Sequence, residues 1–180
     1  GDTMLNWTTG VFAYLNNESR IDTNINGSDI GLVIPDFESI APFSQIDTPD
    51  LERKGVALFG QSTYDITDKL TFTGGLRFDY EEVDASVART HTTPAFTSSS
   101  FSESANFNAI SPKIAISYQA NDKVFVFANA AKGFRPGGIN TFVINGADAP
   151  FEPETTFNYE AGIKTNLFEN RLQLNLTGFY

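Results

Sequence analysis

LTFTGGLRFDYEE, residues 70–82, decides how this chain is read. Its even positions are Leu70, Phe72, Gly74, Leu76, Phe78 and Tyr80; its odd positions are Thr71, Thr73, Gly75, Arg77, Asp79 and Glu81. Side chains of a β-strand point alternately to opposite sides, so this spacing predicts a strand with one apolar and one polar face. Arg77, Asp79 and Glu81 then lie together on the polar face.

The pattern recurs outward from there. At the end of the chain Leu172, Leu174, Leu176 and Tyr180 alternate with Gln173, Asn175 and Thr177, with Phe179 breaking the polar set. Residues 5–16, 54–66, 106–118, 123–135 and 155–167 are further strands, which makes seven in all. In 5–16 and 123–135 both sets of alternate positions carry large side chains, so either face can be the apolar one.

The connections between strands fall into two alternating kinds. DITDK (65–69), QANDK (119–123) and LFENR (167–171) are short, each with an acid just before Lys or Arg, and read as tight hairpin turns. The segments of about 17–53, 82–105 and 136–154 are long, rich in Gly, Ser, Asn, Asp and Pro, and leave from the opposite edge. Loops of that length are unusual in a compact soluble domain. Short turns on one side and long loops on the other suit a transmembrane β-barrel, with the turns periplasmic and the loops extracellular.

Composition agrees with this reading. No run of about 18 apolar residues occurs, which excludes a transmembrane helix, but a membrane strand needs only about 9–11 alternating residues. Such strands are compatible with a mean hydropathy of −0.19 and an aromatic content of 13%. Tyr14, Tyr80, Tyr159 and Tyr180 fall toward the long segments, and Tyr64 and Tyr118 just before short turns. Two such rows match two membrane interfaces, where an amphipathic ring is most stable.

Charge is one-sided. The chain carries 22 acidic against 12 basic residues, and 15 of the acids lie in or beside the three long segments. Nucleic acid is therefore an unlikely partner on electrostatic grounds. No cysteine is present, so there is neither a disulfide framework nor a thiolate site. The lone His91 stands in a polar stretch with no orienting acid evident, so no catalytic residue is assigned and no cofactor is expected. Asp22, Asn24 and Asn26 begin as a calcium loop does, but Val33 stands where the bidentate glutamate belongs, which makes this a weak metal candidate.

Three segments taken together carry a family resemblance: ALFGQSTYDITDKLTFTGGLRFDYEE, NAAKGFRPGGIN and PETTFNYEAGIKTNLFENRLQLNLTGFY. The set resembles the β-barrel of TonB-dependent outer-membrane receptors. In those, a strand closes on a Gly-Phe-Arg-Pro type segment, here Gly133, Phe134, Arg135 and Pro136. The next strand carries Tyr-Glu-x-Gly-x-Lys, here Tyr159, Glu160, Gly162 and Lys164.

The resemblance implies an all-β fold, an antiparallel up-and-down meander of about seven strands forming part of a 22-stranded transmembrane β-barrel in the bacterial outer membrane. It also implies outer-membrane lipid as a partner, a small-molecule ligand such as a ferric siderophore, and energy from the TonB complex relayed through an N-terminal plug. Residues 1–180 contain no plug and no TonB box. The opening GDTMLNWTTG has no signal-peptide pattern and Tyr180 stops in mid-alternation, so the chain is expected to be a piece of a longer receptor.

In that setting Arg77, Asp79 and Glu81 face the lumen. Gly137 and Gly138 are expected to let the chain turn sharply out of the strand into the third long loop. Two other readings stay open at this stage, a passive porin-type barrel and a soluble carbohydrate-binding β-sandwich.

Overall fold

The computed structural model describes residues 4–143 and 149–180. Seven long strands form one antiparallel sheet in the order β1 (Leu5–Ser19), β3 (Phe43–Thr67), β4 (Leu70–His91), β5 (Ser99–Asn121), β6 (Val124–Arg135), β9 (Glu154–Leu167) and β10 (Leu172–Phe179). Each pairs with its neighbour in chain order, which is the expected meander. β2 (Asp22–Asn26) continues the edge of β3, and β7 (Gly138–Ile139) pairs with β8 (Pro150–Phe151) in a small separate ribbon. α1 (Ile30–Val33) and a 3-10 turn (Pro35–Phe37) lie between β2 and β3. The described sheet is open, ending on β1 and β10.

The short turns lie as the sequence indicates. Thr67 Oγ1 accepts from the amides of Lys69 (3.2 Å) and Leu70 (3.0 Å), closing the first. Asn121 Oδ1 accepts from the Lys123 amide at 2.9 Å in the second. These side-chain acceptors satisfy amides that a tight turn strips from the ladder.

The long segments are different from the sequence expectation. Of 82–105, only residues 92–98 leave the sheet; of 17–53, strand structure covers both ends, through Asn26 and from Phe43. β3 has 25 residues, more than twice the 9–11 a tilted membrane strand requires. The surplus forms a sheet that rises beyond the membrane-length section.

The sequence hid this extension because the apolar pattern changes phase. Below the row Val56–Tyr80–Asn108, the even positions of β3, β4 and β5 carry most of the large apolar side chains and the odd positions most of the polar ones, with Ala57, Phe59, Ala109 and Ala115 the apolar residues on the odd side. Above it, the odd positions Leu51, Val83, Ala85, Val87, Phe101, Ala105 and Phe107 are the apolar ones, and Asp50, Glu52, Asp84, Ser86, Ser102 and Ser104 hold the even ones. The register runs unbroken through the row, so no bulge causes the change. The strands keep their orientation while each face meets a different environment.

Below the row the apolar face has no protein against it: Leu58, Leu76, Ile110 and Ile114 are each more than half exposed. Above it the opposite face is a protein core. Val83 (0% exposed), Ala85, Ile139 and Ala149 pack together, with Leu51, Phe101, Ala105, Phe107 and Val143 around them. The chain after β6 supplies Ile139, Val143 and Ala149. It folds back across the sheet instead of projecting away from it; residues 144–148 of the expected 136–154 loop lie outside the described residues.

Register also decides the two strands that alternation left open. Leu5, Trp7, Val11 and Leu15 of β1 pair with Tyr64, Ser62, Leu58 and Lys54, so its odd positions share the apolar face. Ile114, Ile116 and Tyr118 pair with Ala130, Ala128 and Val126, which puts the even positions of β6 there. The aromatics that blurred both patterns, Phe12, Tyr14, Phe125 and Phe127, stand on the polar face.

Candidate functional site

Those aromatics have a local reason to be there. Tyr14 lies directly across from Gly55 and Phe127 across from Gly162. A Cβ on Gly55 would stand 2.1 Å from the Tyr14 ring, and one on Gly162 would stand 2.7 Å from the Phe127 ring. Each ring thus lies over the bare backbone of a cross-strand glycine, a recurring way of covering a glycine in a sheet. This accounts for the glycine in Tyr-Glu-x-Gly-x-Lys. Its neighbours on the same face complete a ladder, with Asn129 Nδ2 donating to Glu160 at 3.0 Å and Lys164 Nζ 5.6 Å from the Phe127 ring centre.

With its ring flattened over Gly55, Tyr14 reaches Glu81 and donates its hydroxyl to Oε2. Arg53 Nη1 donates to Oε1 of the same carboxylate at 3.1 Å. Glu81 is 8% exposed, so both partners serve to keep a charge out of water at tolerable cost. Arg77 grips Asp79 through Nε (2.9 Å) and Nη2 (2.7 Å), with its guanidinium carbon 5.8 Å from the Phe12 ring centre. The sequence-assigned residues Arg77, Asp79 and Glu81 therefore share one face, joined there by Tyr14 and Arg53, which alternation within single strands did not bring together.

Gly133, Phe134, Arg135 and Pro136 close β6 beside this cluster. Phe134 faces the apolar side, while Arg135 is largely exposed, 3.6 Å from Glu154. Gly137 and Gly138 correct the expectation of a sharp outward turn. No described glycine has positive φ. Both are buried because a Cβ on Gly137 would meet the Phe151 carbonyl at 2.2 Å, and one on Gly138 the Phe151 ring at 2.6 Å. Space, and not backbone freedom, requires glycine here, and it lets the returning chain lie down on Arg53.

Above the cluster is a mouth. Arg20 anchors it, donating from Nη2 to Thr141 Oγ1 (2.9 Å), pairing with Glu18 (3.1 Å) and Asp22 (2.8 Å), and standing 4.9 Å from the Phe142 ring centre. A cavity of about 490 Å³ opens there, walled by Arg20, Leu51, Thr141, Phe142 and Phe151. Asp22, Asn24 and Asn26 lie in a strand, not a loop. A strand spaces alternate residues roughly 7 Å apart, so their oxygens diverge instead of converging on an ion.

A buried ion pair holds the top of the extension. Arg89 Nε donates to Asp47 Oδ1 at 2.7 Å, and both side chains are nearly inaccessible. Burial works to raise the Asp47 pKa, but hydrogen bonds from Arg89 and Gln45, with the Arg89 charge, outweigh it and hold the carboxyl below its ordinary value of 3.8. A depressed carboxylate contributes stability that is complete above the ordinary value and is lost as pH falls through the folded one. Hydrogen-exchange protection of residues 43–47 and 89–91 should thus hold from neutral pH to about pH 4 and fall only below it. Arg89→Ala, which strands the Asp47 charge, should cost this end of the sheet about 3 kcal/mol at neutral pH by the same measurement.

The whole chain, residues 1–180, matches the family model described as TonB dependent receptor-like, beta-barrel. Among relatives, the metal-pseudopaline receptor CntO of Pseudomonas aeruginosa is 32% identical over 139 residues, 77% of this chain and 19% of that protein. Among solved structures, the siderophore receptor PiuA from Acinetobacter baumannii superposes with a TM-score of 0.70 at 16% identity, covering 99% of this chain and 29% of that one. The ferric yersiniabactin uptake receptor FyuA from Yersinia pestis gives 0.65 at 17%, with the same coverage. The chain thus spans about a fifth of its relative's length. A single sheet path that superposes on these barrels sets aside the β-sandwich, and the family sets aside the porin. The chain belongs to the TonB-dependent receptor-like β-barrel family, as a seven-strand section of an outer-membrane barrel wall and not as an enzyme.

Proposed function

We propose that the full receptor imports a scarce metal chelate of the ferric-siderophore class, energised through TonB, and that this section supplies wall, lumen lining and part of the mouth. The exchange of apolar and polar faces at the row Val56–Tyr80–Asn108 carries the reading. Lipid outside and a watery lumen inside account for the lower pattern; water outside and a folded mouth inside account for the upper. The polar face with Tyr14, Arg53, Arg77, Asp79, Glu81 and Glu160 then lines the lumen beside the plug. The short turns are periplasmic and the extension is extracellular. The acids around the mouth disfavour strongly anionic ligands, and the cavity at Arg20 and Phe142 offers both an apolar wall and a hydrogen-bonding rim.

The test is uptake of a radiolabelled ferric chelate by cells carrying the full-length receptor, with and without TonB. Uptake that needs TonB, with a Ser86→Cys variant labelled by an impermeant thiol reagent and a Leu76→Cys variant unlabelled, is the expected result. Uptake independent of TonB, or equal labelling of the two cysteines, would overturn the assignment.

A further inference from the structure

Two cavities lie one above the other along the polar face, and a single segment of chain walls both. The upper, at the mouth, is lined by Ile139, Asn140, Thr141 and Phe142 over Glu18 and Leu51. The lower, of about 440 Å³, is lined by Gly133, Phe134 and Pro136 over Tyr14, Arg77 and Glu81. Residues 133–142 thus pass from the wall of one cavity into the wall of the other. The row of the sheet that divides them is Asn16–Arg53–Val83–Ala105, with Glu18–Leu51–Ala85 next above it on that face and Tyr14–Gly55–Glu81–Phe107 next below.

Arg53 stands in the dividing row and lines neither cavity. Its two terminal nitrogens meet different elements. Nη1 donates to Glu81 Oε1 at 3.1 Å, and the other oxygen of that carboxylate takes the Tyr14 hydroxyl. Nη2 lies against Gly138, where an added Cβ would stand 3.1 Å from it. A guanidinium is a rigid planar fork, so its two arms move together, and a displacement of Gly138 is felt at Glu81. The ammonium of a lysine is a single point charge with no second arm. One other side chain, Phe107, bridges the same two regions: it pairs with Glu81, and a Cβ on Gly137 would stand 2.6 Å from its ring.

We propose that Arg53 is a positioning residue that couples the upper cavity to the Glu81 carboxylate. An occupant that shifts residues 138–142 shifts the Tyr14–Glu81 hydrogen bond on the luminal wall, and a change at Tyr14 is felt in turn by residues 138–142, because a coupling free energy is reciprocal. The mouth thereby communicates with the lumen through the barrel wall itself. The inference rests on the barrel-wall reading above.

The experiment uses the full-length receptor in phosphatidylcholine nanodiscs, with 3-fluorotyrosine in place of Tyr14 and its fluorine resonance as the signal. A bimane adduct on Leu51→Cys serves as the occupant of the upper cavity. The adduct should shift the resonance when Arg53 is present, and the shift should shrink at least about threefold with Arg53→Lys, which keeps a cation for Glu81 but loses the second arm. In the reverse direction, Tyr14→Phe removes one donor from Glu81 and should speed amide exchange of residues 138–142 about threefold to tenfold with Arg53, and leave it unchanged in the Arg53→Lys background. No shift on forming the adduct, or effects of equal size with Arg53→Lys, would overturn the coupling, the latter result assigning it to Phe107. If Arg53→Lys does not fold, Tyr14→Phe alone decides, and unchanged exchange of residues 138–142 overturns the proposal. Neither readout depends on transport, so uptake without TonB would overturn the proposed function and leave the coupling standing, whereas failure of the receptor to enter bilayers would overturn the barrel-wall reading and the coupling with it.

Discussion

Val83→Asp should release the segment after β6 from the sheet while the membrane-length strands stay folded. Val83 is fully buried at the centre of the one protein core in the described residues, against Ala85, Ile139 and Ala149. The cation opposite it, Arg53, is already held by Glu81, so a carboxylate there either stays uncompensated in an apolar cluster or strips Glu81 of its partner, and a buried charge left unpaired belongs to the small class of substitutions costing about 4 kcal/mol or more. The core it would break joins only a short return of chain to the sheet, so the local free energy is exceeded and the segment detaches. On intact cells carrying the full-length receptor, residues 136–143 and 149–151 should become accessible to protease and lose hydrogen-exchange protection. Val83→Ala should show a milder form, about 2 kcal/mol from two lost carbon groups and the space they leave. Ser86→Asp, close by on the opposite face, should stay within about 0.5 kcal/mol. If Val83→Asp keeps wild-type protection, the folded-in mouth is wrong.

The second large effect concerns the other environment. Leu76 is midway along the membrane-length part of β4, on the apolar face, and 55% exposed because no protein covers it. Leu76→Arg places a charge near the bilayer midplane and should lower folding stability by about 2–4 kcal/mol. Thr73→Arg puts the same side chain at similar depth on the opposite face, where it meets the lumen, and should cost about 1 kcal/mol or less. Urea titration of the full-length receptor refolded into vesicles measures both. Equal losses for the two variants would mean that the faces do not meet lipid and water as assigned.

Together these substitutions mark why the fold was only partly legible. Residues 70–82 showed their faces in the sequence because, on the barrel-wall reading proposed above, lipid and lumen impose opposite demands on alternate positions. In β1 and β6 the demand was masked, since Tyr14 and Phe127 sit on the polar side over glycines that belong to other strands. A cross-strand glycine cannot be recognised before the register is known. The polar cluster was legible to the same extent: Arg77, Asp79 and Glu81 came from one strand's alternation, whereas Tyr14 and Arg53 join Glu81 from 67 and 28 residues away.

Alternation along single strands, a short polar turn after every second strand and the absence of a long apolar run determined a meander of membrane-length strands, because these are local consequences of a two-residue repeat in a two-sided solvent. What lay above the membrane was decided by the tertiary structure alone. There the apolar residues moved to the other face, since what covers them is the chain itself, through Ile139, Val143 and Ala149. A strand's sequence records that one face is buried, and only the fold shows what buries it.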